Sequence, residues 1–206
     1  MRARPKRPLR AEIAMIFHET NLAGVFEIHP DAKCDERGFF ARTWCEKEFE
    51  ENGLVSRLAQ CSISFNNLKG TLRGMHYQAE PYAETKLVRC TRGAIYDVAL
   101  DLRPASPTFL QWVARELTAE NRHMLYVPQG CAHGFLTLED NTEIFYQISE
   151  FFDAASARGV RWNDPSFAIA WPMPPGVISD RDANYPDFDR GQFERELERR
   201  TAAVPA

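Results

Sequence analysis

The chain has no apolar run near the roughly 20 residues that a membrane-spanning helix requires, which excludes an ordinary helical span. It has no excess of basic side chains either: 25 Lys and Arg stand against 29 Asp and Glu, a formal charge of −4. That balance lacks the electrostatic footprint for holding a nucleic-acid backbone, although a phosphorylated small ligand needs only a few local cations. Cysteine is sparse: Cys34, Cys45, Cys61, Cys90 and Cys131 are an odd set with no C-x-x-C pair. This argues against a disulfide framework or zinc knuckle and for a reducing, cytoplasmic compartment. Internal repeats, low-complexity tracts and βαβ alternation are also missing.

What remains is a chain of 206 residues, 44% hydrophobic and 12% aromatic, enough for one well-filled β-rich core. The start, MRARPKRPLRAEIAMIF, is basic, but its apolar piece is short and carries Glu12, unlike a signal peptide. Residues 1–14 read as a disordered extension, with Met15 an alternative start, and 15–206 as a single domain.

From Gly24 onward short β-like runs recur about every ten positions between turn residues, among them VFEI, FFARTW, SISF and KLVRC. That spacing predicts a sandwich or barrel. In Ile95–Leu102, Tyr96, Val98, Leu100 and Leu102 alternate with Ile95, Asp97, Ala99 and Asp101, the period of a half-buried strand with one polar face. FLQWVARELT, HMLYVP, HGFLTL and TEIFYQI supply further strands. After Phe151 the pattern gives way to a long loop-rich region with several aromatics, and GQFERELERR predicts a short terminal helix.

The stretch Gln60–Gln78, QCSISFNNLKGTLRGMHYQ, places glycines beside Arg73 and His76 in a strand context, where backbone can approach a ligand closely. On a strand His76 shares its face with Gly74 and Gln78, Lys86 with Val88 and Cys90, His133 with Phe135 and Thr137, and Tyr146 with Ile144 and Ile148. Four hydrogen-bonding groups on apolar faces of four strands describe the mouth of a ligand-holding barrel. Taken singly, each has a plainer reading: a hydrogen-bonded core histidine, a core tyrosine, a lysine reaching the rim, and, for Asp182 in SDRD, a turn or cap residue.

Pro128–His133 matches the P-x-G-x-x-H turn of cupin barrels, but His76-Tyr77-Gln78 lacks the H-x-H pair of the metal-binding members. Two histidines are a poor basis for a transition-metal site, so the barrel reads as metal-free, its histidines serving acid–base work or ligand contact.

Beyond that turn the sequence closely resembles the dTDP-4-dehydrorhamnose 3,5-epimerase family from about Gly24 to about Pro186. The matching blocks are DERGFF at 35–40, GTLRGMHYQ at 70–78, KLVRCTRGAIYDVALDLRPASPTF at 86–109, PQGCAHGF at 128–135, IFYQISEFF at 144–152, RWNDP at 161–165 and the S-x-x-D of Ser179–Asp182. The resemblance implies a mainly β fold, a cupin-type double-stranded β-helix (jelly roll) with a loop-rich C-terminal region and short helices. It also implies a homodimeric isomerase without cofactor or metal, acting at C3 and C5 of a nucleotide-linked 4-keto-6-deoxyhexose in rhamnose or related deoxysugar synthesis for polysaccharide. By position His76 matches the catalytic base, Asp182 its partner, Tyr146 the acid on the opposite face, and Lys86 a residue beside the sugar ketone. Arg73 and His133 match further contacts; Arg37 and Phe40 of DERGFF, and Gln60 and Ser62 of a stretch where other members carry asparagine in place of Ser62, lie in regions near the nucleotide. Arg37, Arg42 and Lys69 are extra cations that hint at phosphate binding. The alternatives are a mono-epimerase on a related dTDP-, CDP- or GDP-linked sugar and a non-catalytic carbohydrate-binding cupin.

Overall fold

The computed structural model describes residues 14–202, so most of the expected N-terminal extension lies outside the described residues. The chain opens with β1 (Met15–Glu19) and β2 (Phe26–Pro30), followed by a hairpin of β3 (Lys33–Asp35) and β4 (Gly38–Phe40) and the helix α1 (Glu46–Glu51). There follow β5 (Gln60–Asn66), β6 (Thr71–Gln78), β7 (Lys86–Arg92), β8 (Ala94–Asp101), β9 (Trp112–Thr118), β10 (Met124–Val127), β11 (Cys131–Thr137) and β12 (Thr142–Ile148). The C-terminal region holds β13 (Ala157–Gly159), β14 (Val177–Ile178), α2 (Asp180–Ala183) and α3 (Arg190–Ala202).

One sheet has the order β1-β2-β10-β7-β12-β5, the other β13-β6-β11-β8-β9 with β14 added in parallel to β6. Chain neighbours such as β7 and β8 fall in different sheets, the connectivity of a jelly roll and the architecture expected. Between the sheets lies a core that includes Val88, Cys90, Ile95, Ala99, Leu117, Leu125, Phe135 and Ile144. Among the described residues no helix is long and apolar enough to cross a membrane.

Two readings need correction. The run FFARTW is a strand only through Phe40, which pairs with Lys33 in the small hairpin. The strand β8 is not half-buried: both faces are covered, and Asp97 and Asp101 are fully buried. Its mixed face, with Ile95 and Ala99, looks into the barrel, while Val98 and Leu100 pack outward against Val160, Phe167 and Ile169 of the long C-terminal region. That region is therefore a third layer, and α3 adds Phe193 to it.

Candidate active site

The open end of the barrel forms a cavity of about 450 Å³. His76, Lys86, His133 and Tyr146 all line it, as strand parity predicts, and so do Arg73, Gln60 and Ser62. On β5 Gln60, Ser62 and Ser64 share the cavity face, and Ser62 stands directly opposite Tyr146 in the β5–β12 register.

Strict alternation would place Arg73 and His76, three residues apart, on opposite faces of β6. They share the cavity because β6 carries an extra residue there: His76 pairs with His133 and Arg73 with Phe135, so two residues of β6 face one of β11. The bulge is built from Gly74 and Met75 against Gly134. Gly74 has φ +130°, and a Cβ on it would stand 2.5 Å from the Gly134 Cα, so no larger residue fits.

His76 Nε2 lies 2.7 Å from Asp182 Oδ1. Asp182 is not a cap: Ser179 caps α2, its hydroxyl accepting from the Asp182 amide at 3.1 Å, which frees the aspartate to point into the protein. The Gly74 amide donates to Asp182 Oδ2 at 3.2 Å. Burial alone would push the Asp182 carboxyl up; the bonds from His76, Gly74 and Ser179 outweigh it and hold the group below its ordinary value. An ionised aspartate thus orients the imidazole.

Lys86 Nζ sits 3.0 Å from Glu84 Oε1 and donates to the His76 carbonyl at 3.3 Å, which aims the ammonium beside the histidine. Arg73 is steadied by Nε donating to Asn66 Oδ1 at 2.8 Å. Tyr146 projects from β12, on the sheet opposite β6, and burial pushes its phenol far above its usual range, keeping it a proton donor. His133 Nε2 pairs with Asp97 Oδ1 at 2.7 Å. Each cavity histidine therefore has its own carboxylate.

Arg37 and Phe40 are not brought into this cavity. Both lie on the exposed β3–β4 hairpin, where Arg37 pairs with Asp35 at 2.5 Å and Phe40 is 65% exposed. Arg42 pairs instead with Glu48 of α1, and Lys69 lies outside the cavity lining. Sequence reasoning missed Asn66, Glu84, Asp97, Arg158 and Arg181; the last two line the cavity from the loop-rich C-terminal region. The S-x-x-D block already contained Arg181, and the interior parity of Asp97 was available in the β8 alternation.

A model of the dTDP-4-dehydrorhamnose 3,5-epimerase family matches residues 19–190. The chain belongs to that family. Among curated relatives, a dTDP-4-dehydrorhamnose 3,5-epimerase of Sinorhizobium fredii is 44% identical over 175 residues, 84% of this chain and 90% of that protein. The crystal structure of a dTDP-4-dehydrorhamnose 3,5-epimerase from Bacillus anthracis with TDP and pyrophosphate bound superposes with a TM-score of 0.81 at 41% identity, covering 85% of this chain and all of that one (100%). A Legionella pneumophila 3,5-epimerase in complex with dTDP-4-keto-L-rhamnose gives a TM-score of 0.81 at 35% identity, over 89% and 97% of the two chains. Membership in the 3,5-epimerase family makes the chain an isomerase by class and accounts for the cupin-type jelly roll.

Proposed function

We propose that the protein inverts C3 and C5 of dTDP-4-dehydro-6-deoxyglucose, giving dTDP-4-dehydrorhamnose. The observation that carries the reading is the pairing of His76 with buried Asp182 on one wall of the cavity while Tyr146 projects from the other. A proton on carbon beside a ketone leaves only when the enolate is stabilised, and the Lys86 ammonium at the cavity wall supplies that. His76 Nε2 hydrogen-bonds Asp182, so Nδ1 is the nitrogen left to take the carbon-bound proton, and the imidazolium that forms is held by the carboxylate. The electron pair of the broken C–H bond moves into the enolate. Tyr146 then delivers a proton to the same carbon from the other face, its phenolate is reprotonated from solvent, and the centre is inverted.

Arg73, Arg158 and Arg181 at the cavity wall are placed for the diphosphate of a nucleotide sugar, with Gln60 and Ser62 as polar contacts. Arg37 and Phe40 remain in the reading as contacts made from the exposed hairpin of a second copy in a homodimer, and the exposure of Phe39 and Phe40 supports it. A cytoplasmic setting fits the free cysteines and a nucleotide-linked substrate.

The test is incubation with dTDP-4-keto-6-deoxyglucose in heavy water. Deuterium at both C3 and C5 is expected. Label at C3 alone would make the protein a mono-epimerase, and no label would overturn the enzymatic reading.

A further inference from the structure

Three of the five histidines lie away from the cavity and gather at the other end of the first sheet. Glu27 and His29 alternate along β2, His18 stands opposite Glu27 on β1, and Leu125 of β10 stands opposite Glu27 on the other side, two residues after His123. Leu125 belongs to the core between the sheets, whereas Ile28 and Met124 pack on Phe49 of α1. The parity therefore turns all four polar side chains toward the inner face, at the rim where β2 runs past the edge of the second sheet.

An apolar rim would have closed that edge. Instead, Glu27 Oε1 lies 2.7 Å from His29 Nε2 and 3.2 Å from His123 Nδ1. Its other oxygen, Oε2, takes the Nε of Arg115, which reaches across from β9. The rings of His29 and His123 are stacked with centroids 3.5 Å apart, and His18 follows, 4.5 Å from His29. One carboxylate oxygen and two imidazole nitrogens all fall within 4.8 Å of one another. A tetrahedral ion with bonds of ~2.0–2.1 Å separates its donors by about 3.4 Å, close to the spacing of these atoms, and binding requires the stacked rings of His29 and His123 to turn out of parallel so that both lone pairs meet the ion. The side chains of His29 and His123 are 28% and 29% exposed, which leaves a way in for an ion.

We propose that Glu27, His29 and His123 form a site for a divalent transition-metal ion of the zinc class, with water as the fourth ligand. Imidazole nitrogen with one carboxylate is the donor set such ions take in preference to magnesium or calcium. Arg115 acts as a supporting group, fixing the carboxylate so that Oε1 alone faces the ion. The site is independent of the proposed reaction, since none of its ligands lines the cavity.

The untagged full-length protein is titrated with Co²⁺, whose visible absorption reports a tetrahedral site, and with Zn²⁺ in competition. One ion per chain is expected. Replacing His29→Ala with His123→Ala weakens binding by more than the ~10–100-fold that loss of a supporting group costs. Epimerase turnover stays unchanged in that variant. A variant with Cys34→Ser, Cys45→Ser and Cys61→Ser is expected to keep the signal. In the wild type Zn²⁺ shifts the ring resonances of His29 and His123 and leaves those of His76 and His133 in place, a readout that needs no variant to fold. Any other pattern, including no saturable signal, overturns the site.

Discussion

His133 Nε2 lies 2.7 Å from Asp97 Oδ1, both side chains are almost wholly buried, and the second oxygen of Asp97 is buried without a hydrogen-bond partner. A carboxylate held that way spends its single strong bond on fixing one imidazole. Replacing Asp97 with Asn keeps the shape and offers His133 a weaker, neutral partner. The neutral partner holds His133 less firmly, and since misplacing a positioned group costs up to about 10²-fold, turnover in Asp97→Asn is expected to fall by no more than about that factor. Asp97→Ala also leaves His133 unpaired, at ~1–3 kcal/mol of stability. Steady-state kinetics and urea denaturation of the two variants separate these effects. Full activity in Asp97→Asn would show that His133 needs no such anchor.

The proposed division of labour between His76 and Tyr146 predicts two different defects. His76→Ala removes the proposed base, so solvent exchange at C3 and C5 is expected to fall by ~10²–10⁴-fold. Tyr146→Phe leaves the base, its aspartate and the Lys86 ammonium in place. Deuterium then still enters from the His76 side, but the inverted product falls well behind the exchange rate. Comparing label incorporation with product stereochemistry by NMR distinguishes the variants. Equal loss of exchange in both would mean that Tyr146 has a part in proton removal.

Much of this site was legible because strand parity is a local property. It placed His76, Lys86, His133 and Tyr146 on inward faces, and all four line the cavity. Parity failed where a partner strand decides the register: the extra residue of β6 turns Arg73 inward, and nothing within β6 alone reports what β11 opposes to it. It also misjudged β8, because alternation cannot tell a solvated face from one covered later in the chain by Val160, Phe167 and Ile169. The hairpin residues Arg37 and Phe40 came from block resemblance alone, which carries no information about which surface of the molecule they occupy.

Asp101 gives the acid limb of stability. It is fully buried, and its two oxygens accept from Arg103 at 2.8 Å, Ser106 at 2.5 Å and Thr108 at 2.7 Å, tying the β8–β9 loop together. Burial pushes its carboxyl up, but the bonds from Arg103, Ser106 and Thr108 outweigh that and leave the group below its ordinary value. A carboxyl depressed on folding contributes stability above its unfolded pKa, about 3.9, and that contribution is lost as pH falls through the lower folded value. The wild type is therefore expected to lose stability below about pH 4. Asp101→Asn should be less stable by about 3 kcal/mol at neutral pH, with a flatter acid limb. Denaturation at a series of pH values checks both, and parallel acid limbs would remove Asp101 from the account.

Gly74 is where the fold and the site depend on the same atom. At φ +130° an added Cβ would meet the Gly134 Cα at 2.5 Å and the His133 carbonyl at 3.0 Å, both backbone and unable to rotate away. Gly38 supplies the control: its φ is +125°, yet nothing lies within 4 Å of a Cβ there. Gly38→Ala therefore measures the cost of the backbone conformation alone, and Gly74→Ala that cost plus the clash. With ~1–3 kcal/mol for each contribution, Gly74→Ala is expected to lose about 3 kcal/mol or more, on the order of 10 °C in melting temperature, and Gly38→Ala about half of that. Because the bulge is what turns Arg73 and His76 into one cavity, Gly74→Ala should also lose turnover below its own melting point. Equal melting temperatures for the two variants would show that β6 and β11 can part to admit the methyl group.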